Sequence, residues 1–595
     1  MAAPHHTLLL PLVVLLLGIG TLHAHGRSLS QATDGSGSSP GPGGSPAVPL
    51  GPVAQYTWRV TLGSRAPDCF ERPVLLVNDQ FQLPLEVTQG DLLEILVIND
   101  IPEDYPSVSE GLSFHWHGFS MIGSPYYDGV SYASQCPIPP GGNMTYRFQV
   151  NEPPGTYVWH GHSGAERTDG LSGPLIVRPK PGSTALYPPY DEERTLLLTD
   201  WYHTQAAALA MSLNRPFDAA KVTNTSGAWS WADNPQSLLL NGHGFYQDCA
   251  LGPGGNMKNI TCDVTSQWVP KGRSVQNPFA AATNPGCSHQ NFTVEAGKTY
   301  LFRIINGATL TYQTVCFDAH TVTIVAADAV PVEPLEVECV DINSGQRYDV
   351  LLKADQAPGN YWVSSHVQFR PGSPSGYGVL RYAGADNSTL PTDPLPQPGE
   401  VAPWSQELLN SLAVSSQLKS NASAGDASVA DTWLKEATME VPEPTVKLFI
   451  NLTQPLLPTG QLRWALNNVA YTKNPPCTPL LDLVSSDPNW ATQHQVAEGT
   501  YNSPDYSSSN LGIQQGPGTS ADVFISGPNS GPSPIKPVAG THVIPLDKGA
   551  VVEVVLQNMP ANANNGDYRP GVGANRTAME QASQGARLTA SHRQQ

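Results

Sequence analysis

Val87-Thr88-Gln89-Gly90-Asp91-Leu92-Leu93-Glu94-Ile95-Leu96-Val97-Ile98-Asn99 decides the fold. A turn glycine leads into an apolar strand, and Asn99 closes it twelve residues after Val87. The same interval separates Val294 from Asn306, behind Val294-Glu295-Ala296-Gly297, and Leu546 from Asn558, behind Leu546-Asp547-Lys548-Gly549. Three copies of one pattern predict three similar β-domains. Met144, Tyr146, Phe148 and Val150 alternate with polar residues, as a strand with one buried face requires. The chain holds 54 Gly and 56 Pro against 14% charged residues. Breakers such as Pro139-Pro140-Gly141-Gly142 and Pro153-Pro154-Gly155 then read as turns between short strands. The expected fold is all-β, three β-sandwiches in series.

Outside the repeats, the N-terminus sets the compartment. Leu8 to Ile19 is apolar, and Thr21-Leu22-His23-Ala24 supplies small residues for cleavage, so residues 1–24 read as a secretory signal peptide. Residues 25–52 are mostly Gly, Ser and Pro and read as a flexible linker, as does 384–444, with a short helix expected near Ser405–Leu418. No later run reaches the ~18 apolar residues of a membrane span. Asn-x-Ser/Thr sequons at Asn143, Asn224, Asn259, Asn291, Asn387, Asn421, Asn451 and Asn575 fit a secreted glycoprotein. A net charge of −19 argues against nucleic acid or an anionic membrane as partner.

Two stretches carry the chemistry: Phe114-His115-Trp116-His117-Gly118 and Trp159-His160-Gly161-His162-Ser163-Gly164. Residues i and i+2 of a strand share a face, roughly 6–7 Å apart, so two such strands can turn four imidazoles into one space. That set suits copper, zinc, iron or nickel. The spacing alone decides little, since His23-Ala24-His25 has it inside the targeting segment. The apolar, aromatic surroundings of the other two pairs distinguish them. His203, His243, His289, His320, His366, His494 and His542 are isolated and read as surface or hydrogen-bonded residues.

With these motifs on the page, the chain resembles three-domain multicopper oxidases of the ascorbate oxidase and laccase type. The resemblance rests on His-Trp-His-Gly, Tyr127-Asp128-Gly129, Ser134-Gln135-Cys136-Pro137-Ile138 and Trp-His-Gly-His in the first domain. Leu196-Leu197-Leu198-Thr199-Asp200-Trp201-Tyr202-His203 and Gln236-Ser237-Leu238-Leu239-Leu240-Asn241-Gly242 carry it in the second, and Trp464-Ala465-Leu466-Asn467-Asn468-Val469 in the third. It implies tandem cupredoxin-like sandwiches at 53–180, 190–383 and 445–560. It implies copper as cofactor, with a small-molecule reductant and O₂ as partners. By position His115 resembles a type 2 copper ligand, and His117, His160 and His162 resemble type 3 ligands. Asp128 resembles the carboxylate beside the cluster, although an Asp-Gly turn needs no such role. Trp231 stands where ascorbate oxidase has a substrate-pocket Trp, although a core or rim Trp fits there as well.

The third repeat departs from that family. Sixteen residues after Asn558 the chain reads Ala574, where the first repeat has His115, and neither a second set of His-x-His pairs nor a His-Cys-His motif follows. The third sandwich is therefore expected to be incomplete, with a divergent, disordered tail at 561–595. Three readings stay open: a copper oxidase with an incomplete or alternative end, a metal-free binding glycoprotein, and a metalloprotein using only the four histidines. Among the eight cysteines, the resemblance implies Cys249–Cys262 and Cys69–Cys287 bonds. It places the partner of Cys136 in an absent segment, so Cys136 is expected to be unpaired, with Cys477 a second odd thiol. Cys316 and Cys339 can bridge neighbouring strands.

Overall fold

The computed structural model describes residues 51–108, 110–183, 187–213, 234–246, 249–252, 256–262, 288–368, 370, 373–386, 388–392, 396, 444–453, 465–466, 469–471, 477–487, 513–515, 523–525, 538–540 and 550–558. The expected signal peptide, the helix near Ser405–Leu418, Trp231 and the tail lie outside the described residues. No helix among them is long and apolar enough to cross a membrane.

Residues 53–178 build two four-stranded sheets. One runs Arg72–Val77, Val53–Arg65, Leu92–Asn99, Asn143–Gln149, and the other Leu85–Thr88, Ser172–Arg178, Gly155–Gly161, Phe114–His117. Trp58, Ile95, Phe114, Trp116, Tyr146 and Trp159 fill the space between them. Residues 192–382 follow the same plan with a six-stranded and a five-stranded sheet around Leu198, Phe292, Phe302, Ile304, Phe317 and Val363. Val446–Thr453 belongs to a further five-stranded sheet with Val552–Asn558.

The repeat seen in sequence is a repeat of topology. Each repeat strand pairs in parallel with the first strand of its own unit, with Asn99 opposite Val60, Asn306 opposite Leu198 and Asn558 opposite Leu452. In the first two units the Asn side chain explains its own recurrence. Asn99 Nδ2 donates to the Ile138 carbonyl at 2.9 Å, and its Oδ1 accepts from Ile101 N–H at 3.1 Å. Asn306 Nδ2 donates to the Ile342 carbonyl at 2.9 Å, and its Oδ1 accepts from Ala308 N–H at 2.9 Å. Both residues are fully buried. The Asn amide offers a separate donor and acceptor on one short arm, which neither an ionised Asp nor Leu does.

Charged residues join the first two sandwiches. Arg303 donates to Glu193 at 3.0 Å, to Asp349 at 3.2 Å and to Thr156 Oγ1 of the first sandwich at 2.9 Å. Arg72 bonds Asp169 at 2.7 Å, and its guanidinium lies 3.9 Å from the Trp201 ring centroid across the junction. Buried cations are tolerated here because each is paired.

The cysteines correct one expectation. Cys136 is bonded to Cys477, with Cα atoms 5.9 Å apart. Its partner is therefore not in an absent segment, and neither residue is an odd thiol. The chain just after Cys477 explains this: Leu480 and Leu481 N–H groups donate to the Tyr132 and Ala133 carbonyls, docking the helix Leu480–Ser486 on the loop that carries Cys136. Cys316 and Cys339 are bonded as direct cross-strand partners. Cys69 is disulfide-bonded, while Cys287 lies outside the described residues. Cys249 and Cys262 are opposite one another across a hairpin, and their side chains are outside the described set.

The isolated histidines are hydrogen-bonded, and several are more deeply buried than their sequence context suggested. His203 Nε2 lies 2.7 Å from Asp68, and His320 Nε2 lies 2.7 Å from the Tyr382 hydroxyl. His494 and His542 lie outside the described residues. His366 is 1% exposed, and burial pushes its pKa down to about 4. Its Nδ1 meets Ser375 Oγ at 2.8 Å, and Nε2 has no hydrogen-bond partner among the described residues. An unfolded histidine titrates near 6.5, so the unfolded chain binds the extra proton first. Stability from this group is complete above pH ~6.5 and is lost as pH falls toward 4, by up to roughly 3 kcal/mol. Urea unfolding at pH 7 and pH 4.5 should show a gap between wild type and His366→Gln that shrinks or reverses on acidification. A gap that is identical at both pH values would contradict the neutral, buried assignment.

Candidate metal centre

The strand Phe114–His117 pairs antiparallel with Gly155–Gly161, which puts His115 directly opposite His160 and Trp116 opposite Trp159. Alternation then sends Phe114 and Trp116 into the core and His115 and His117 to the other face. His162 follows the end of the partner strand, and its N–H donates to the Ser113 carbonyl at 3.2 Å. All four expected histidines meet. Ring centroids are 5.2 Å apart for His115 and His162, 5.3 Å for His115 and His160, and 5.6 Å for both His117–His160 and His160–His162. One nitrogen from each of His115, His117 and His160 falls within 4.8 Å of the others.

Two ring orientations are fixed by backbone acceptors. His115 Nδ1 bonds the Asp128 carbonyl at 2.7 Å, with the Asp128 carboxylate 3.3 Å away. His160 Nδ1 bonds the Gly161 carbonyl at 2.9 Å. A proton held at Nδ1 leaves Nε2 as the free lone pair in each. His160 Nε2 lies 3.4 Å from His117 Nδ1, so the two rings face each other through nitrogens that can both serve as ligands. Burial, with the Arg347 guanidinium next in weight, lowers the His117 pKa to about 3. Burial holds His160 well below the ordinary value and also lowers His162. His117, His160 and His162 are therefore neutral near pH 7, the state in which imidazole binds metal.

Asp128 reaches the site because its turn lies flat on the histidine strand. Trp116 Nε1 donates to the Tyr127 carbonyl at 3.0 Å, and the next carbonyl takes His115. Gly129, at φ +82°, permits that approach, since a Cβ there would lie 1.7 Å from the Phe114 carbonyl oxygen.

Glu166 is a positioning residue that the sequence reading missed. It is fully buried, and its Oε1 accepts from Ser113 N–H at 3.2 Å and Ser163 N–H at 2.8 Å, tying together the chain flanking both histidine pairs. Its place four residues past His162 was the available signal. Arg167, Gly345 and Arg347 also border the cluster, and nothing local in sequence marks the last two.

These features make a histidine cluster on the first of a series of β-sandwiches, a candidate metal centre. Multicopper oxidase family models match residues 59–182 and 192–385. The chain is 31% identical over 526 residues to an L-ascorbate oxidase of Cucumis sativus, covering 87% of this chain and 76% of that one. Laccase-2 of Thanatephorus cucumeris is 32% identical over 319 residues, 53% of this chain and 45% of the relative. The crystal structure of a laccase from Botrytis aclada aligns with a TM-score of 0.53 at 23% identity, over 76% of this chain and 70% of that one, a likeness of fold. The chain belongs to the multicopper oxidase family, a family of copper-binding oxidoreductases, and its sandwiches are cupredoxin-like.

Burial raises the Glu166 pKa well above the carboxylate range, which favours its neutral form in the folded chain. Glu166→Gln keeps the acceptor oxygen and should change stability by less than about 1 kcal/mol, whereas Glu166→Ala strands two buried N–H groups at roughly 2–4 kcal/mol. Equal losses for both variants in chemical denaturation would show that the charge, not the acceptor, matters.

Proposed function

We propose that His115, His117, His160 and His162 hold copper and that the family chemistry of this scaffold is one-electron oxidation of a phenol-like reductant or ascorbate coupled to O₂ reduction. The observation that carries this reading is the convergence of four imidazoles from two facing strands and the residue just past one of them, with the His115 ring centroid 5.2 to 5.7 Å from each of the other three. The donor set fits copper, since imidazole nitrogens suit it. When bound, copper would supply reversible one-electron transfer. The protein's own part is narrower. The Asp128 carbonyl holds the Nδ1 proton of His115 and points Nε2 inward, and the Asp128 carboxylate, which is part-exposed, can exchange a proton between solvent and the site.

The residues of this sequence supply only part of the family's machinery. No cysteine is flanked by histidines, and Cys69, Cys136, Cys316, Cys339 and Cys477 are all disulfide-bonded and offer no thiolate. The four first-domain histidines would then bind copper without a blue electron-entry site, and a polypeptide of this sequence alone would not turn over. Secretion with glycosylation fits the same reading, since the sequon residues Asn143 and Asn291 are exposed.

Purified protein should take up copper, and His160→Ala should lose most of it. The loaded protein should lack the intense blue absorption of a Cys-ligated copper and should not oxidise ascorbate or phenols with O₂. Wild-type protein that takes up no copper would favour the metal-free binding reading instead. Turnover with bound copper would show that the missing ligands are not required.

A further inference from the structure

The second sandwich touches the metal centre of the first through one turn, Asn343-Ser344-Gly345-Gln346-Arg347. Gly345 has φ +85°, and a Cβ there would sit 2.7 Å from His117 Cε1 and 2.8 Å from Nε2. The glycine thus covers one edge of the imidazole and leaves Nδ1 facing His160. The turn is firmly held. Gly345 N–H donates to the Asn306 carbonyl at 2.8 Å, and Gln346 N–H to Asn343 at 3.0 Å. Two arginines fasten it to the first sandwich. Arg167 Nη2 reaches Ser344 Oγ at 2.8 Å, and Arg167 also bonds the Gly307 and Ala308 carbonyls. Arg347 spans from the Gly345 carbonyl at 2.9 Å to the Thr156 carbonyl at 3.0 Å, on the strand that carries His160.

The matching turn in the first sandwich shows that such packing is no automatic consequence of the fold. Gly141 N–H donates to the Asn99 carbonyl as Gly345 does to Asn306, yet a Cβ at Gly141 would meet nothing within 4 Å. We propose that the Asn343–Arg347 turn is a positioning element for the metal centre of the first sandwich, with Gly345 as the seat of the His117 imidazole. This rests on the reading of His117 as a ligand.

The test compares Gly345→Ala with Gly297→Ala in the full chain. Gly297 has φ +86°, and a Cβ there meets nothing within 4 Å, so it carries the same backbone strain without a neighbour. In Cu(II) titrations against a chromophoric chelator, Gly297→Ala should match wild type. Gly345→Ala should raise the dissociation constant about tenfold or more, the scale on which ligand-orienting contacts act, and should alter the EPR hyperfine pattern of the bound ion. Gly345→Ala with the affinity and EPR signal of Gly297→Ala overturns the inference. If Gly345→Ala does not fold, Ser344→Ala removes the Arg167 anchor without adding an atom, and an unchanged copper affinity and EPR spectrum there overturns it. Should wild type bind no copper, the copper reading fails by itself. The crystal structure of metal-free Gly345→Ala then decides, with a displaced His117 ring supporting the positioning role and an unmoved ring ending it.

Discussion

The site depends on one register. His115 faces His160 only because Phe114–His117 and Gly155–Gly161 pair as they do, and a one-residue slip would turn every side chain of one strand to the opposite face. Aromatic burial holds that register. Trp58 lies 4.8 Å from Trp159, 5.3 Å from Phe114 and 5.9 Å from Trp116, ring centroid to ring centroid. A slip would expose Phe114 and Trp116 and bury His115 and His117. Each large side chain brought to water forfeits roughly 2–3 kcal/mol, and each unpaired buried imidazole adds a cost of its own. The core therefore specifies the metal centre without touching it.

What was legible in sequence followed from periodicity and short separations. Phe-His-Trp-His states in four residues that two rings go inward and two imidazoles outward. The Gly-to-Asn interval states the domain repeat because Asn99 and Asn306 each satisfy a corresponding corner with the same pair of bonds. Glu166 was readable in principle, being close in chain to His162. Gly345 and Arg347 were not, since they reach His117 only after a second sandwich has folded and docked.

The cysteines show the same limit from another side. Cys316 and Cys339 are close in sequence and sit on adjacent strands, so local reasoning could suggest the bond. Cys136 and Cys477 are separated by 341 residues, and nothing near either one names the other. A family template filled that gap and pointed to the wrong segment. The docking of the helix Leu480–Ser486 on the Tyr132–Ala133 carbonyls supplies the reason the bond forms where it does. It also bears on the metal centre, since Tyr126 meets Ser485 at 3.1 Å and Asp128 lies two residues beyond Tyr126. The loop that orients His115 is thus held at both ends, by Trp116 and His115 from its own sandwich and by this helix from outside it.

Buried guanidiniums beside a cation site look unfavourable, and their pairing explains why they are tolerated. Arg303 spends its donors on Glu193, Asp349 and Thr156, so its charge is balanced at the junction. Arg347 has Asp328 at 2.9 Å on the solvent side. Arg167 differs, because its direct acceptors are carbonyls and a hydroxyl, with no carboxylate among them. Asp200 acts on its charge without bonding it directly, and the positive potential that Arg167 still projects helps to lower the His117 and His160 pKa values. The same residue fastens the turn that packs on His117, so one guanidinium acts on the histidines both through its charge and through the backbone it holds.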